Sequence, residues 1–236
     1  MTPEPLPAAL SASAAPVLPV VVVEDAADAV PLARALVAGG LRAVEVTLRT
    51  PAALDAIRAV AAEVPECLVG AGTVVSARAV ADAVAAGARF LVSPGCTGGL
   101  LDAMEASGVP YLPGVSTASE ALALLERGVR EMKFFPAGAA GGAAYLAALA
   151  GPLPQARFCP TGGISAVSAR EYLALPNVDC VGGTWVAPPA ALAARDWTRI
   201  TSLAREAAAL GGAPPGGGQR RCDVSLRSRT EALPSR

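Results

Sequence analysis

The chain has no histidine. That absence removes Ser-His-Asp hydrolysis, Cys-His proteolysis and His-ligated zinc together. Acid–base work is left to Glu, Asp, Lys, Tyr or Cys. Lysine is almost as scarce: Lys133 is the only one, and the other 18 basic side chains are arginine. Excess charge is missing too. A net charge of −1 argues against a nucleic-acid partner or an anionic membrane surface. No apolar run approaches the ~18 residues of a membrane span. The longest, VLPVVVV, runs straight into Glu24 and Asp25. The opening MTPEPLPAALSASAAP lacks a basic start and is interrupted by Glu4 and prolines, so it does not read as a secretory signal. The five cysteines (Cys67, Cys96, Cys159, Cys180 and Cys222) contain no C-x-x-C pair. With no export signal they are expected to be reduced thiols of a cytoplasmic protein.

What is present is a recurring alternation. Eight short runs have strand character: 17–23, 43–48, 68–73, 89–95, 111–117, 131–136, 157–163 and 178–184. Stretches of helical period lie between them. DAVPLARALVAGG places Val30, Ala33, Leu36 and Val37 on one face and ends on Gly39-Gly40. TPAALDAIRAVAAEV begins on Thr50-Pro51, a cap and first-turn combination. Strands alternating with helices predict parallel βα units. Eight such units, roughly 20–27 residues apart, predict a single-domain (β/α)8 TIM barrel rather than an open doubly wound sheet. An open sheet would usually carry a Gly-rich nucleotide loop after its first strand, and EDAADA has no glycine. The expected organisation is a helical or irregular lead over 1–15, a barrel over 16–210 and a disordered Gly/Pro/Arg-rich tail over 211–236.

In EMKFFP, strand alternation puts Glu131, Lys133 and Phe135 on one face and Met132 and Phe134 on the other. A barrel strand is covered on both sides, so Lys133 points into the barrel or into the helix layer. A buried charged amine is costly unless it is paired or gives up its proton. Lys133 is then either a structural lysine, snorkelling to the strand end or held in a core ion pair, or a nucleophile, because a neutral amine in apolar surroundings attacks carbonyls. In AVEVTLRT, Glu45, Thr47 and Arg49 share one face if Val44 and Val46 pack on helices. They form a structural ion pair, or a proton-transfer group beside an anion-binding guanidinium. PTGGIS and GGT end the seventh and eighth strands. Glycines there let backbone N–H groups approach a phosphate, and barrels often bind phosphate at these two loops. Thr73 of GAGT offers a hydroxyl, and Pro94 of SPG offers a piece of cavity wall. An amine, a carboxylate, an arginine and a phosphate cradle suit aldol cleavage of a phosphorylated keto compound through an iminium.

In order along the chain, VEVTLRT, GAGT, SPG, PGVST, KFFPA, RFCPTGGI and GGTW resemble the 2-keto-3-deoxy-6-phosphogluconate aldolase family, often described jointly with 4-hydroxy-2-oxoglutarate aldolase. The similarity runs from about residue 16 to about 210. The resemblance implies a homotrimeric (β/α)8 barrel with no metal and no cofactor, and a phosphorylated keto acid and pyruvate as small-molecule partners. It implies Lys133 as the Schiff-base residue and Glu45 as the general acid–base. Arg49 and Thr73 would hold the pyruvate carboxylate. Thr161, Gly162 and Gly163 would line the substrate and phosphate site, and Pro94 and Phe135 would shape the pyruvate pocket. Thr184 stands where many relatives have serine and keeps the hydroxyl. Gly138 stands where relatives often have glutamate. The implied reaction releases pyruvate and glyceraldehyde 3-phosphate, within Entner–Doudoroff sugar-acid breakdown. The galactonate epimer, 4-hydroxy-2-oxoglutarate and a non-catalytic phosphosugar-binding barrel are the alternatives.

Overall fold

The structure, a computed structural model, describes residues 15–211. The lead up to residue 14, the tail from 212 and Cys222 lie outside the described residues. Nine strand segments are parallel: β1 (Val17–Val21), β2 (Ala43–Thr47), β3 (Leu68–Gly72), β4 (Leu91–Val92), β5 (Tyr111–Leu112), β6 (Gly114–Val115), β7 (Glu131–Phe134), β8 (Arg157–Pro160) and β9 (Val181–Gly183). They pair in the order β5-β4-β3-β2-β1-β9 and, separately, β6-β7-β8. Together they form a curled parallel α/β half-barrel. Isolated parallel bridges join Phe158 to Val178 and Thr161 to Gly182.

Helices follow the strands: α1 (Ala29–Ala38), α2 (Ala53–Glu63), α3 (Ala77–Ala85), α4 (Gly98–Ala106), α5 (Ala118–Glu126), α6 (Gly142–Leu149), α7 (Ala169–Leu173), α8 (Pro189–Ala193) and α9 (Trp197–Ala208). None of the helices among the described residues is long and apolar enough to cross a membrane. The period-two alternation sorts the strand residues into two clusters. Val44, Val46, Val69, Ala71, Met132 and Phe134 join the larger core, which includes the buried sides of the helices. Leu18, Ala43, Phe90, Val92, Leu112, Cys159 and Cys180 form a smaller cluster on the concave side. Burial on both faces is what a parallel sheet with helical crossovers requires.

The fifth strand of the sequence reading is split by Pro113, which has no N–H to give to a ladder. Its carbonyl still accepts from the Lys133 N–H at 2.9 Å, so the chain on either side of it belongs to two sheets. The Ser93 hydroxyl, fully buried, accepts from the Gly114 N–H at 3.2 Å and ties the two together. The expected Thr50 cap is not made. Helix α2 starts at Ala53 without a side-chain cap, and the Thr50 hydroxyl donates to the Val23 carbonyl instead. That bond fastens the loop after β2 to the loop after β1.

The helix after β6 begins with a full capping box. The Thr117 hydroxyl accepts from the Glu120 N–H, and the Glu120 carboxylate accepts from the N–H groups of Ser116 (2.7 Å) and Thr117 (2.8 Å). These bonds, led by the Ser116 N–H, hold the Glu120 carboxyl below its ordinary range. A lowered folded value means stability that is present above the unfolded carboxylate value of about 4.3 and lost as the pH falls through the folded value. Glu120→Ala is expected to cost about 1 kcal/mol at neutral pH, the scale of a lost cap. In urea titrations, the gap from wild type should begin to narrow as the pH falls below the unfolded value of about 4.3.

Candidate active site

Lys133 and Glu45 are 88 residues apart in sequence, yet the Lys133 Nζ donates to Glu45 Oε1 at 3.1 Å. Lys133 is 5% exposed and Glu45 1%. Two ladders produce the contact. Ala43 belongs to the concave cluster, so Glu45 and Thr47, two and four residues on, share that side. Met132 and Phe134 belong to the helix-facing core, so Lys133 between them faces the concave side too. Removing two charges from water costs several kcal/mol each, and their attraction rarely returns more than that. A buried pair of this kind is weak support for stability and strong equipment for chemistry.

Phe135 follows on the same side, with its ring centroid 5.3 Å from Lys133 Nζ. The ring also lies against Gly162, where a Cβ would come within 3.1 Å of it. The aromatic face therefore spaces the amine from the glycine loop. Gly162 (φ 95°) and Gly163 (φ 75°) both hold the left-handed conformation that glycine adopts without strain. Their N–H groups donate to no acceptor among the described residues, leaving two donors open at the end of β8.

Thr161 is buried, and its hydroxyl donates to the Cys159 carbonyl at 3.4 Å. A Cβ on Gly182 of β9 would lie 2.1 Å from that hydroxyl oxygen, so the missing side chain there makes its room. Thr73 sits directly after β3 with φ 58°, a conformation that strains a β-branched residue. Pro94 is half-buried, and its carbonyl packs where a Cβ on Gly114 would otherwise stand. Thr184 is exposed at the end of β9 and opens onto a cavity of about 630 Å³ that Val20, Val22 and Leu32 also line. Gly138, in the loop after β7, lies against the glycine loop after β8, its N–H donating to the Gly162 carbonyl at 2.9 Å.

Arg49 lies beyond the end of β2, so the alternation that orients Glu45 and Thr47 does not set its direction. β2 ends at Thr47, and the Arg49 N–H turns back to the Thr47 carbonyl at 2.8 Å. The tight turn breaks the period-two rule and leaves the side chain exposed at the strand's end. The Thr47 hydroxyl is also spent, donating to the Val21 carbonyl at 3.0 Å. Cys67 is no nucleophile, since burial pushes its thiol up to about 12. Cys96 is raised to about 11, mainly by burial.

Gly72 and Gly182 escaped the sequence reading. Both belong to short motifs, GAGT and GGT, whose sequence says nothing of the space each glycine leaves for a neighbour. No signal within either segment marks Gly72, because the register that sets it two residues past Gly70, the partner of Glu45, is a tertiary fact.

A buried amine beside a carboxylate, at the carboxyl edge of a parallel α/β sheet, is the equipment of an enzyme that forms an imine with a carbonyl substrate. The comparisons are narrower. The family model for KDPG and KHG aldolase matches residues 10–203, and the chain belongs to that family. A KHG/KDPG aldolase of Escherichia coli strain K12 is 56% identical over 192 residues, which cover 81% of this chain and 90% of the relative. Among solved structures, a KDPG aldolase from Legionella pneumophila superposes with a TM-score of 0.81 at 48% identity, covering 83% of this chain and 95% of that one. It holds pyruvate captured at low pH as a covalent carbinolamine intermediate. The 2-keto-3-deoxy-6-phosphogluconate aldolase of Zymomonas mobilis ZM4, with 3-phosphoglycerate, superposes at 0.79 with 49% identity over 83% of this chain and 92% of that one.

Proposed function

We propose that this chain is a metal-independent, Schiff-base aldolase that cleaves 2-keto-3-deoxy-6-phosphogluconate to pyruvate and glyceraldehyde 3-phosphate. The observation that carries the reading is the Lys133 amine, buried and 3.1 Å from the Glu45 carboxylate. The 50–56% identity to relatives named for this activity supports it. Glu45 takes a proton from Lys133, and the neutral amine attacks the C2 ketone. Glu45 returns the proton to the carbinolamine hydroxyl, water leaves, and an iminium forms. Glu45, directly or through a water, then removes the C4 hydroxyl proton. The C3–C4 bond breaks, its electrons move to the iminium nitrogen, and the aldehyde departs. The enamine is protonated at C3, and water hydrolyses the resulting iminium to pyruvate and free Lys133.

Arg49 and Thr73 follow β2 and β3 and meet the pyruvate carboxylate. Gly162 and Gly163 offer their open N–H groups to the phosphate, and Thr184 adds a hydroxyl. Thr161, Pro94 and Phe135 wall the pocket. The fold that supports these placements is a closed (β/α)8 barrel, in which β5 and β6 are one strand and the Thr161–Gly182 bridge joins β8 to β9. Homotrimeric assembly and a cytoplasmic location complete the reading and rest on the family.

Incubation with pyruvate and borohydride tests it. Reduction is expected to fix a pyruvyl adduct on the peptide holding Lys133. No adduct would favour a phosphosugar-binding barrel without catalysis. The name of the Escherichia coli relative supports a second substrate, 4-hydroxy-2-oxoglutarate, cleaved to pyruvate and glyoxylate. Side-by-side kcat/KM values for it, for the phosphogluconate and for the phosphogalactonate epimer rank the three.

A further inference from the structure

Gly72 has no conformational reason to be glycine. Its φ lies outside the left-handed region, and the residue that does adopt that region, at φ 58°, is its neighbour Thr73. Glycine stands one place before the position whose backbone would suit it. The reason for Gly72 is space. A Cβ there would lie 2.1 Å from Glu45 Oε1, 2.5 Å from its Cγ and 2.7 Å from its Cδ. Oε1 is the oxygen that meets the Lys133 amine. Glu45 leans forward along β2, past its ladder partner Gly70, until its carboxylate lies over the Gly72 α-carbon. Gly70 shows that the space on this face is filled rather than left over: a Cβ there would stand 2.4 Å from the Phe90 ring. At 1% exposure, Glu45 has no solvent-filled space to swing into.

We propose that Gly72 is a positioning residue, whose missing side chain holds the Glu45 carboxylate within reach of Lys133. The proposal rests on the aldolase reading for its effect on rate, and on packing alone for its effect on stability. The three nearest atoms that the methyl of Gly72→Ala would meet all belong to Glu45, so the substitution displaces the carboxylate and breaks its contact with Lys133.

The test is a double-mutant cycle of Gly72→Ala and Glu45→Ala, with Lys133→Ala alongside. Gly72→Ala is expected to lower kcat by about 10²-fold or more, the scale of a lost general acid–base group. Added to Glu45→Ala it is expected to lower kcat no further. The melting temperature follows the same logic. Gly72→Ala lowers it in the wild-type background and much less in the Glu45→Ala background, where the methyl enters vacated space. If the single variant does not fold and the double variant does, the contact is supported. A wild-type kcat, additive losses in the cycle or failure of both variants to fold would overturn the proposal. Activity retained by Lys133→Ala would instead sink the aldolase reading, and the melting-temperature cycle would still judge the contact.

Discussion

Lys133→Ala is expected to lower turnover by about 10⁶-fold, the scale of removing a covalent nucleophile. No second lysine exists in the chain to take over. Lys133→Arg is expected to fail equally, because a guanidinium stays protonated and forms no imine. Pyruvate release in a coupled assay gives the rate, and borohydride trapping shows whether any adduct forms. Near-full activity of Lys133→Ala would overturn the mechanism. The same substitution should destabilise the fold. It leaves the Glu45 carboxylate buried without its partner, and breaking a buried pair from one side costs about 3–5 kcal/mol. Replacing both partners, as in Lys133→Met with Glu45→Leu, is expected to give a protein at least as stable as wild type and inactive. That outcome would place the pair's purpose in chemistry, where the desolvation it costs is put to use.

Glu45→Gln is expected to lower kcat by about 10²–10⁴-fold. Glutamine keeps the length of the side chain over Gly72 and still offers an oxygen to the amine. It cannot accept and return a proton, so carbinolamine dehydration and C4 deprotonation both slow. Borohydride should still trap pyruvate on Lys133, more slowly than in wild type. The two variants therefore separate two roles: Lys133→Ala loses the adduct, and Glu45→Gln keeps it. A Glu45→Gln enzyme with kcat within a few-fold of wild type would assign proton transfer to another group.

Much of the site was legible because its chemistry was scarce. The absence of histidine left few acid–base candidates, and one lysine among apolar strand residues left one amine. Alternation read correctly wherever a strand was regular: Glu45 and Thr47 on β2, and Lys133 between Met132 and Phe134 on β7. It failed where a strand ended early. Counting in twos puts Arg49 on the Glu45 face, but β2 ends at Thr47 and alternation has no force beyond it. Thr50 carried the signature of a cap, but the Val23 carbonyl on a neighbouring loop offered its hydroxyl another acceptor. At Thr50 a local preference lost to a tertiary hydrogen bond, whereas at Arg49 a turn within the segment itself ended the strand.

By itself the sequence determined the alternating βα plan, the faces that Glu45 shares with Thr47 and Lys133 with Phe135, and the imine chemistry open to a chain without histidine. These depend on residue type and on a period of two, which are local. Only the tertiary structure decided that Glu45 and Lys133 meet at 3.1 Å, that the fifth strand divides at Pro113, and that Gly72 supplies the space for the carboxylate. Those facts depend on the register of one strand against the next. Register is set by ladders between segments distant in sequence, and periodicity within a segment carries no record of it.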